Sequence, residues 1–291
     1  MTIDPFTSSV IGGAIGGFSQ EIVRRSWSYG EKWLKNYFKD HNPQAQQKAN
    51  ANGLDFMVEL GNRLQILEDK INDDEEMKKC MEHALSDPDF SAILYKAFIS
   101  SARTSSKEKH KLLAQIVSSR LQAEEDSLKA IVYSMGVDAV PHLSLKHLRI
   151  LGIMGFFMYI SKKIKIPKLS EEEADKWWTK CLLDNLSQLT PIGNVGEIDV
   201  NHLSSVSCII PPSNTIIVGH SAYLTHLGHK ENLKSWHSGE FTSTYTGQEI
   251  HNMWQPIADA RLTSVGLLIG ISVYGDLSGN KVDVDEYLNM D

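Results

Sequence analysis

Nothing in residues 1–200 alternates apolar and polar side chains as a half-buried strand requires. Apolar positions recur three and four apart instead, a spacing that commits this part of the chain to helices. Met57, Leu60, Leu64, Leu67 and Ile71 form one such seam. It has heptad character but is too short to demand a coiled-coil dimer, and an antiparallel helical hairpin within the chain uses the same pattern. The stretch DPDFSAILYKAFISSA predicts a shorter helix starting near Pro88, because proline suits the first helical position. Ser105 stands three residues before Glu108, the spacing of a capping box. The helix expected after it places Leu113, Val117, Leu121, Glu124, Leu128, Ile131 and Met135 on one stripe, with the glutamate marking a change of neighbour.

From Pro141 the texture changes. SLKHLRILGIMGFFMYISKK predicts a very apolar helix, and residues 171–188 predict another that starts acidic, as the helix dipole favours. IDVNHLSSVSCII predicts a short helix running into an extended stretch, and TGQEIHNMWQPIADARLTSVGLLIGISVYG closes the region. The expected fold class is mainly α: a helical N-terminal region followed by a winged-helix-like α+β C-terminal region. The expected divisions are residues 1–42, 43–140 and 141–291, the last with an insert at about 211–260.

The first division has its own character. Gly12, Gly13, Gly16 and Gly17 recur four apart, which on a helix makes a smooth stripe that another backbone can approach. Each costs about 1 kcal/mol of helix propensity relative to alanine. Trp27, Trp33 and Phe38 follow beside Arg24, Arg25, Lys32 and Lys35. An amphipathic, aromatic and locally cationic segment fits self-assembly or membrane association; the plainer reading is an ordinary N-terminal helix packed on the core, or a partly flexible arm.

Charge narrows the partners. The net charge is −7, whereas most nucleic-acid affinity comes from cationic side chains on phosphates. In a winged-helix unit the recognition helix would fall at Asp199–Cys208, which holds no Arg or Lys. Nucleic acid is therefore not the expected partner; the basic SKKIKIPK at Ser161–Lys168 is short and reads as a solvated loop. Cys80, Cys181 and Cys208 are widely spaced and make no zinc or disulfide pattern, so buried free thiols in a reducing cytosol are expected. No signal peptide is evident, and no apolar run reaches the ~18 residues that span a bilayer.

Candidate chemistry concentrates in TIIVGHSAYLTHLGH, Thr215–His229. Gly219-His220-Ser221 resembles the start of a nucleophile elbow, but the fifth position is Tyr223 where the strained turn needs glycine. His220, His226, His229, His237 and His251 cluster here. His226-x-x-His229 can place two imidazoles on one helix face, with His237, Glu231, Glu240 or Cys208 to complete a shell. No complete metal motif is present, so no cofactor is expected; if these imidazoles bind a metal, zinc is the candidate. Asp276, Ser278 and Asn280 imitate a calcium loop, but Lys281 stands where its glycine belongs and Tyr287 where its glutamate belongs, which leaves a turn. There is no phosphate-binding glycine motif.

Four stretches carry a family resemblance: SSARTSSKEKHKLLAQIVSSRL at 100–121, LSLKHLRIL at 143–151, DVNHLSSVSCII at 199–210 and LTSVGLLIG at 262–270. In these the chain resembles abortive-infection alpha-like proteins of bacteria and related uncharacterised bacterial families. The resemblance implies a helical region followed by a winged-helix-like segment ending at the Leu-Thr-x-x-Gly motif, in a bacterial cytosolic protein tied to phage defence. No catalytic motif comes with it. The expectation is an interaction protein that binds a protein partner or itself, cytoplasmic, with its N-terminal helix in self-assembly or peripheral contact with the inner membrane. A metal-dependent hydrolase or nuclease using residues 220–251, and a DNA-binding winged-helix regulator, stay open as alternatives.

Overall fold

A computed structural model of the chain describes residues 17–38, 43–71, 79, 82–84, 86–165, 167–168, 170–211, 239–257, 259–280 and 282–288. The chain divides into two compact units, Met1–Pro141 and His142–Asp291. Its architecture is mainly α, with one two-stranded ribbon among the described residues.

The first unit is built from α1 (Gly17–Tyr37), α2 (Pro43–Ile71), α3 (Pro88–Ala102), α4 (Lys107–Arg120) and α5 (Leu128–Ala139). Its centre is α2, which packs against α1, α3 and α4. The seam predicted there is the core: Met57, Leu60, Leu64 and Leu67 are buried, with Phe56 beside them. The seam is thus satisfied within the chain, as a hairpin of α1 on α2 requires.

The described part of the N-terminal segment is a packed helix of this unit. Ile22, Val23, Ser26 and Leu34 of α1 face inward. Ser19 Oγ donates to Glu68 Oε2 at 2.5 Å and Ser26 Oγ to Met57 Sδ at 3.4 Å, tying α1 to α2 along its length. Phe98 of α3 seats its ring over two glycines. A Cβ added at Gly30 or Gly53 would stand 2.3 or 2.9 Å from that ring. Trp27 meets the same ring edge-on, 6.1 Å between centroids.

Proline opens α3 as expected, with Asp87 as its cap accepting from Asp89 N at 2.8 Å. Asp87 has a second task. Arg120, in the last turn of α4 and 1% exposed, donates through Nη2 to Asp87 Oδ2 at 2.6 Å and through Nη1 to Ala123 O at 3.3 Å. Buried His110 bridges the α3–α4 turn, its Nε2 2.9 Å from Thr104 O and 3.1 Å from Ser101 O.

The start of α4 is one residue from the predicted cap: Ser106, not Ser105, accepts from Lys109 N at 3.2 Å. The long stripe expected to follow is two helices. α4 ends at Arg120, Asp126 takes a left-handed φ of 57°, and Ser127 caps α5 by accepting from Ala130 N at 3.1 Å. Leu113, Val117 and Leu121 are buried, whereas Leu128, Ile131 and Met135 are exposed.

The second unit begins with α6 (Leu145–Gly155), which runs into a π-helical turn, Phe156–Ile160, and a 3-10 turn, Ser161–Lys163. Then come α7 (Glu171–Leu186), α8 (Glu197–Ser205), β1 (Ile209–Ile210), α9 (Gly239–Ser243), α10 (Tyr245–Trp254), β2 (Arg261–Leu262), α11 (Ser264–Ser278) and α12 (Asp285–Leu288). β1 and β2 pair antiparallel, Ile209 opposite Leu262 and Ile210 opposite Arg261. The core is the packing of α6 on α11. A Cβ at Gly270 of α11 would stand 2.4 Å from Leu151 O, and one at Gly155 of α6 would stand 3.2 Å from Gly270 C. At the start of α11, Thr263 Oγ1 accepts from Gly266 N at 3.1 Å while its own N–H donates to Cys208 O, also at 3.1 Å. Asp276 and Ser278 lie in the last turn of α11, closed by Gly279 at φ 72°, so the calcium-like spacing there is a helix terminus.

Two substitutions test these supports. Asp87→Ala removes a helix cap and the shorter of the two carboxylate contacts of buried Arg120, leaving Asp89 at 3.3 Å, with an expected loss of about 2–4 kcal/mol in urea unfolding. Gly270→Ala forces α6 and α11 apart, with an expected loss of about 1–3 kcal/mol.

Candidate functional site

Sequence reasoning drew attention to histidines in 220–251, but the histidines that the described residues bring together are His147 and His202. The stretch PHLSLKHL sets Ser144 as cap of α6, its Oγ accepting from His147 N at 3.2 Å. His147 completes a capping box, its Nδ1 accepting from Ser144 N at 3.2 Å. That contact leaves the ring proton on Nε2, which lies 3.1 Å from Asp199 Oδ1 on α8. His202, one turn further along α8, stacks on His147 with centroids 4.8 Å apart and sends its Nε2 to His142 O at 2.7 Å.

Cations and carboxylates around this pair hold backbone. Lys146 Nζ is 2.6 Å from Asp199 Oδ1 and 3.1 Å from Asn194 O. Asp199 Oδ2 caps α8 by accepting from Gly196 N at 2.9 Å. Across the loop, Glu249 of α10 accepts from Ile192 N at 2.8 Å and Gly193 N at 2.9 Å, and Arg149 donates to Pro191 O. Residues 190–196 are therefore fixed by side chains from α6, α8 and α10.

Burial pushes the His147 imidazole down, against the pull of its hydrogen bond to Asp199. Burial alone would raise the Asp199 carboxyl. Hydrogen bonds from Lys146, Gly196 N and His147 outweigh it and hold the carboxyl below its ordinary value. With both nitrogens of His147 engaged, the geometry joins α6 to α8 and leaves that ring no nitrogen for proton transfer to a substrate.

Of the two described thiols, Cys208 is buried and Cys181 partly so. Burial pushes Cys208 up to about 12, and burial with Asp184 nearby raises Cys181. In the basic stretch, Lys163 pairs with Glu286 at 2.6 Å and lies 4.0 Å from the centroid of the Tyr287 ring, which docks α12. A further network joins distant positions: Tyr274 Oη donates to Asn185 Oδ1, and Asn280 Nδ2 donates to Tyr274 Oη at 2.9 Å.

His226, His229 and His237, with His220, Ser221 and Glu231, lie outside the described residues, as do Gly12, Gly13, Gly16 and Cys80. Gly17 is the first residue of α1. Among the described residues no group of three histidine, cysteine or carboxylate side chains is placed to hold a metal ion. No helix among them is long and apolar enough to cross a membrane.

Two surface features remain. Trp33 stacks on Tyr37 with centroids 5.0 Å apart and meets Phe38 edge-on at 6.1 Å. Tyr37 is exposed, as are Lys32 and Lys35, the latter paired with Glu31 at 2.7 Å. On α5, Leu128, Ile131 and Met135 are 67%, 51% and 44% exposed. They stand at i, i+3 and i+7, one face of a helix. No other described helix exposes three large apolar side chains.

The model of an uncharacterised protein family matches residues 23–253, from within α1 to the end of α10. The chain belongs to that family. No curated protein and no solved structure matches it.

The His147 geometry has a consequence for stability. Its proton affinity is lower folded than unfolded, so the unfolded chain binds more protons below the ordinary value of 6.5 and stability falls as pH drops through that region. Asp199 acts in the same direction at lower pH, its stabilisation being lost as the carboxyl is protonated below its ordinary 3.8. The urea midpoint is expected to fall between about pH 7 and pH 5, and to fall less in His147→Gln, which reaches Asp199 but does not titrate. An equal fall in both would remove His147 from this role.

Proposed function

We propose that this chain is an interaction protein of bacterial phage defence, of the abortive-infection kind, and that it acts by binding rather than by catalysis. The observation that carries the reading is the exposed stripe Leu128, Ile131 and Met135 on α5. A continuous apolar stripe left in water on a helix marks a surface for another chain far better than scattered apolar residues do. The link to defence rests on the resemblance carried by residues 100–121, 143–151, 199–210 and 262–270.

We read the second unit as winged-helix-like, with α8 before the ribbon and α11 after it. Because α8 carries Glu197 and Asp199 and no Arg or Lys, a protein is the expected partner rather than DNA. The working location is the bacterial cytoplasm. Peripheral contact with the inner membrane would run through the outward end of α1, where Trp33, Tyr37 and Phe38 sit beside Lys32 and Lys35. Trp27 has the opposite task, since it packs on Phe98. Gly12, Gly13, Gly16 and Gly17 are the self-assembly stripe of this reading.

Plating efficiency of a phage panel tests it in bacteria carrying the wild type, Ile131→Glu or a deletion of residues 1–16. The deletion stops at 16 because α1 covers α2. Protection by the wild type that is lost in both variants at unchanged protein abundance is the expected outcome. Undiminished protection by Ile131→Glu would sink the interaction reading, and no protection by the wild type would remove the defence reading. Liposome flotation should show weaker recovery for Trp33→Ser/Tyr37→Ser than for the wild type.

A further inference from the structure

We infer that the occupant of the α5 stripe is a second copy of this chain, docked with the two α5 helices antiparallel about a two-fold axis. The inference rests on reading the stripe as an interaction surface and adds what covers it.

The argument is the distribution of charge along α5. Before its first turn stand Glu124, Glu125 and Asp126, all exposed. Beyond Met135, the last residue of the stripe, stands Asp138, joined at 2.9 Å by Lys96 of α3. One end of the stripe is thus acidic, three carboxylates beside Lys129 of the first turn, while the other presents the half-exposed ammonium group of Lys96. An antiparallel pair centred between Ile131 and Val132 sets Leu128 against Met135 of the other copy. At a rise of about 1.5 Å per residue, Leu128 and Asp138 lie roughly 15 Å apart along the helix, and Glu125 stands in the turn just before its cap, so the same centring brings that acidic turn of one copy towards Lys96 and Asp138 of the other. Each end then gathers Lys96 and Asp138 from one copy with Glu124, Glu125 and Asp126 from the other, where His83 is 3.0 Å from Glu125. The ammonium group falls among the carboxylates.

Other occupants fit less well. A parallel pair would set the two acidic turns against each other. An anionic membrane surface would be repelled by the same residues, Glu124, Glu125 and Asp126. A surface that complements itself only when turned through 180° is what an isologous dimer requires. The stripe is one short helix face, well below the area of a permanent interface, so the association is reversible and concentration-dependent.

The test uses the full chain with Cys80→Ser and Cys181→Ser, leaving buried Cys208 in place. Leu128→Cys and Met135→Cys are made separately, then oxidised alone and as an equimolar mixture. The expected result is a disulfide-linked dimer several-fold more abundant in the mixture than in either variant alone. Sedimentation of the wild type over a hundred-fold concentration range should show the mass rising from 32.6 kDa towards twice that value. Ile131→Glu should abolish the rise, and Lys96→Glu should weaken it several-fold. A monomer at every concentration, or Leu128→Cys linking to itself as readily as to Met135→Cys, would overturn the inference. A monomeric wild type whose protection is nonetheless lost in Ile131→Glu overturns the second copy alone and leaves the interaction reading standing. Dimerisation through the stripe with full protection by Ile131→Glu supports the second copy and defeats the functional reading.

Discussion

How closely two helices can approach depends on what stands between their backbones, and in both units glycine sets that limit. In the first, Gly30 and Gly53 open the space that the Phe98 ring fills, so one aromatic side chain holds α1, α2 and α3 together. In the second, Gly155 and Gly270 remove side chains where α6 meets α11. One turn earlier, Gly266 admits the backbone ahead of β1, where an added Cβ would stand 1.8 Å from Cys208 O. The other features hang on these contacts. The ribbon is fixed because Thr263 caps α11 while binding Cys208 just before β1. The salt bridge of Arg120 with Asp87 then joins the end of α4 to the start of α3. That pair is held by geometry more than by net energy, because desolvating two charges offsets most of their attraction.

The helices were largely legible, because burial on one side leaves its period in the residues. The α2 seam and the proline start of α3 were read directly. The break between α4 and α5 was harder to see, since Leu121 and Leu128 are seven apart and seven residues restore the helical phase. The apolar period therefore crosses the gap unbroken. The signal that could have found the gap is Glu124-Glu125-Asp126 followed by Ser127, acidic residues ahead of a good cap. The glycines show the same limit. Four within 12–17 attract notice, but Gly30 and Gly53 stand alone, and nothing local marks either as the seat of a ring. His147 and Asp199 meet across 52 positions, and Tyr274 and Asn185 across 89, distances over which periodicity carries no information.

Polar and apolar groups divide the work in an unusual way. Among the described residues, several side chains with the chemistry to act on a substrate bind backbone or are buried: His147 and Asp199 cap helices, Glu249 and Lys146 hold a loop, and Cys208 is buried. The groups left facing water in an ordered pattern are apolar.

The loop at 190–196 carries one more implication. Connecting segments usually tolerate changes in length, because their backbone groups face water and any spacing serves. Here the amides of Ile192, Gly193 and Gly196 and the carbonyls of Pro191 and Asn194 each meet a fixed side chain. One residue added or lost would carry every later group past its partner. Sequence divergence can therefore alter the side chains along this loop while its length stays fixed, which makes it a ruler between α6, α8 and α10.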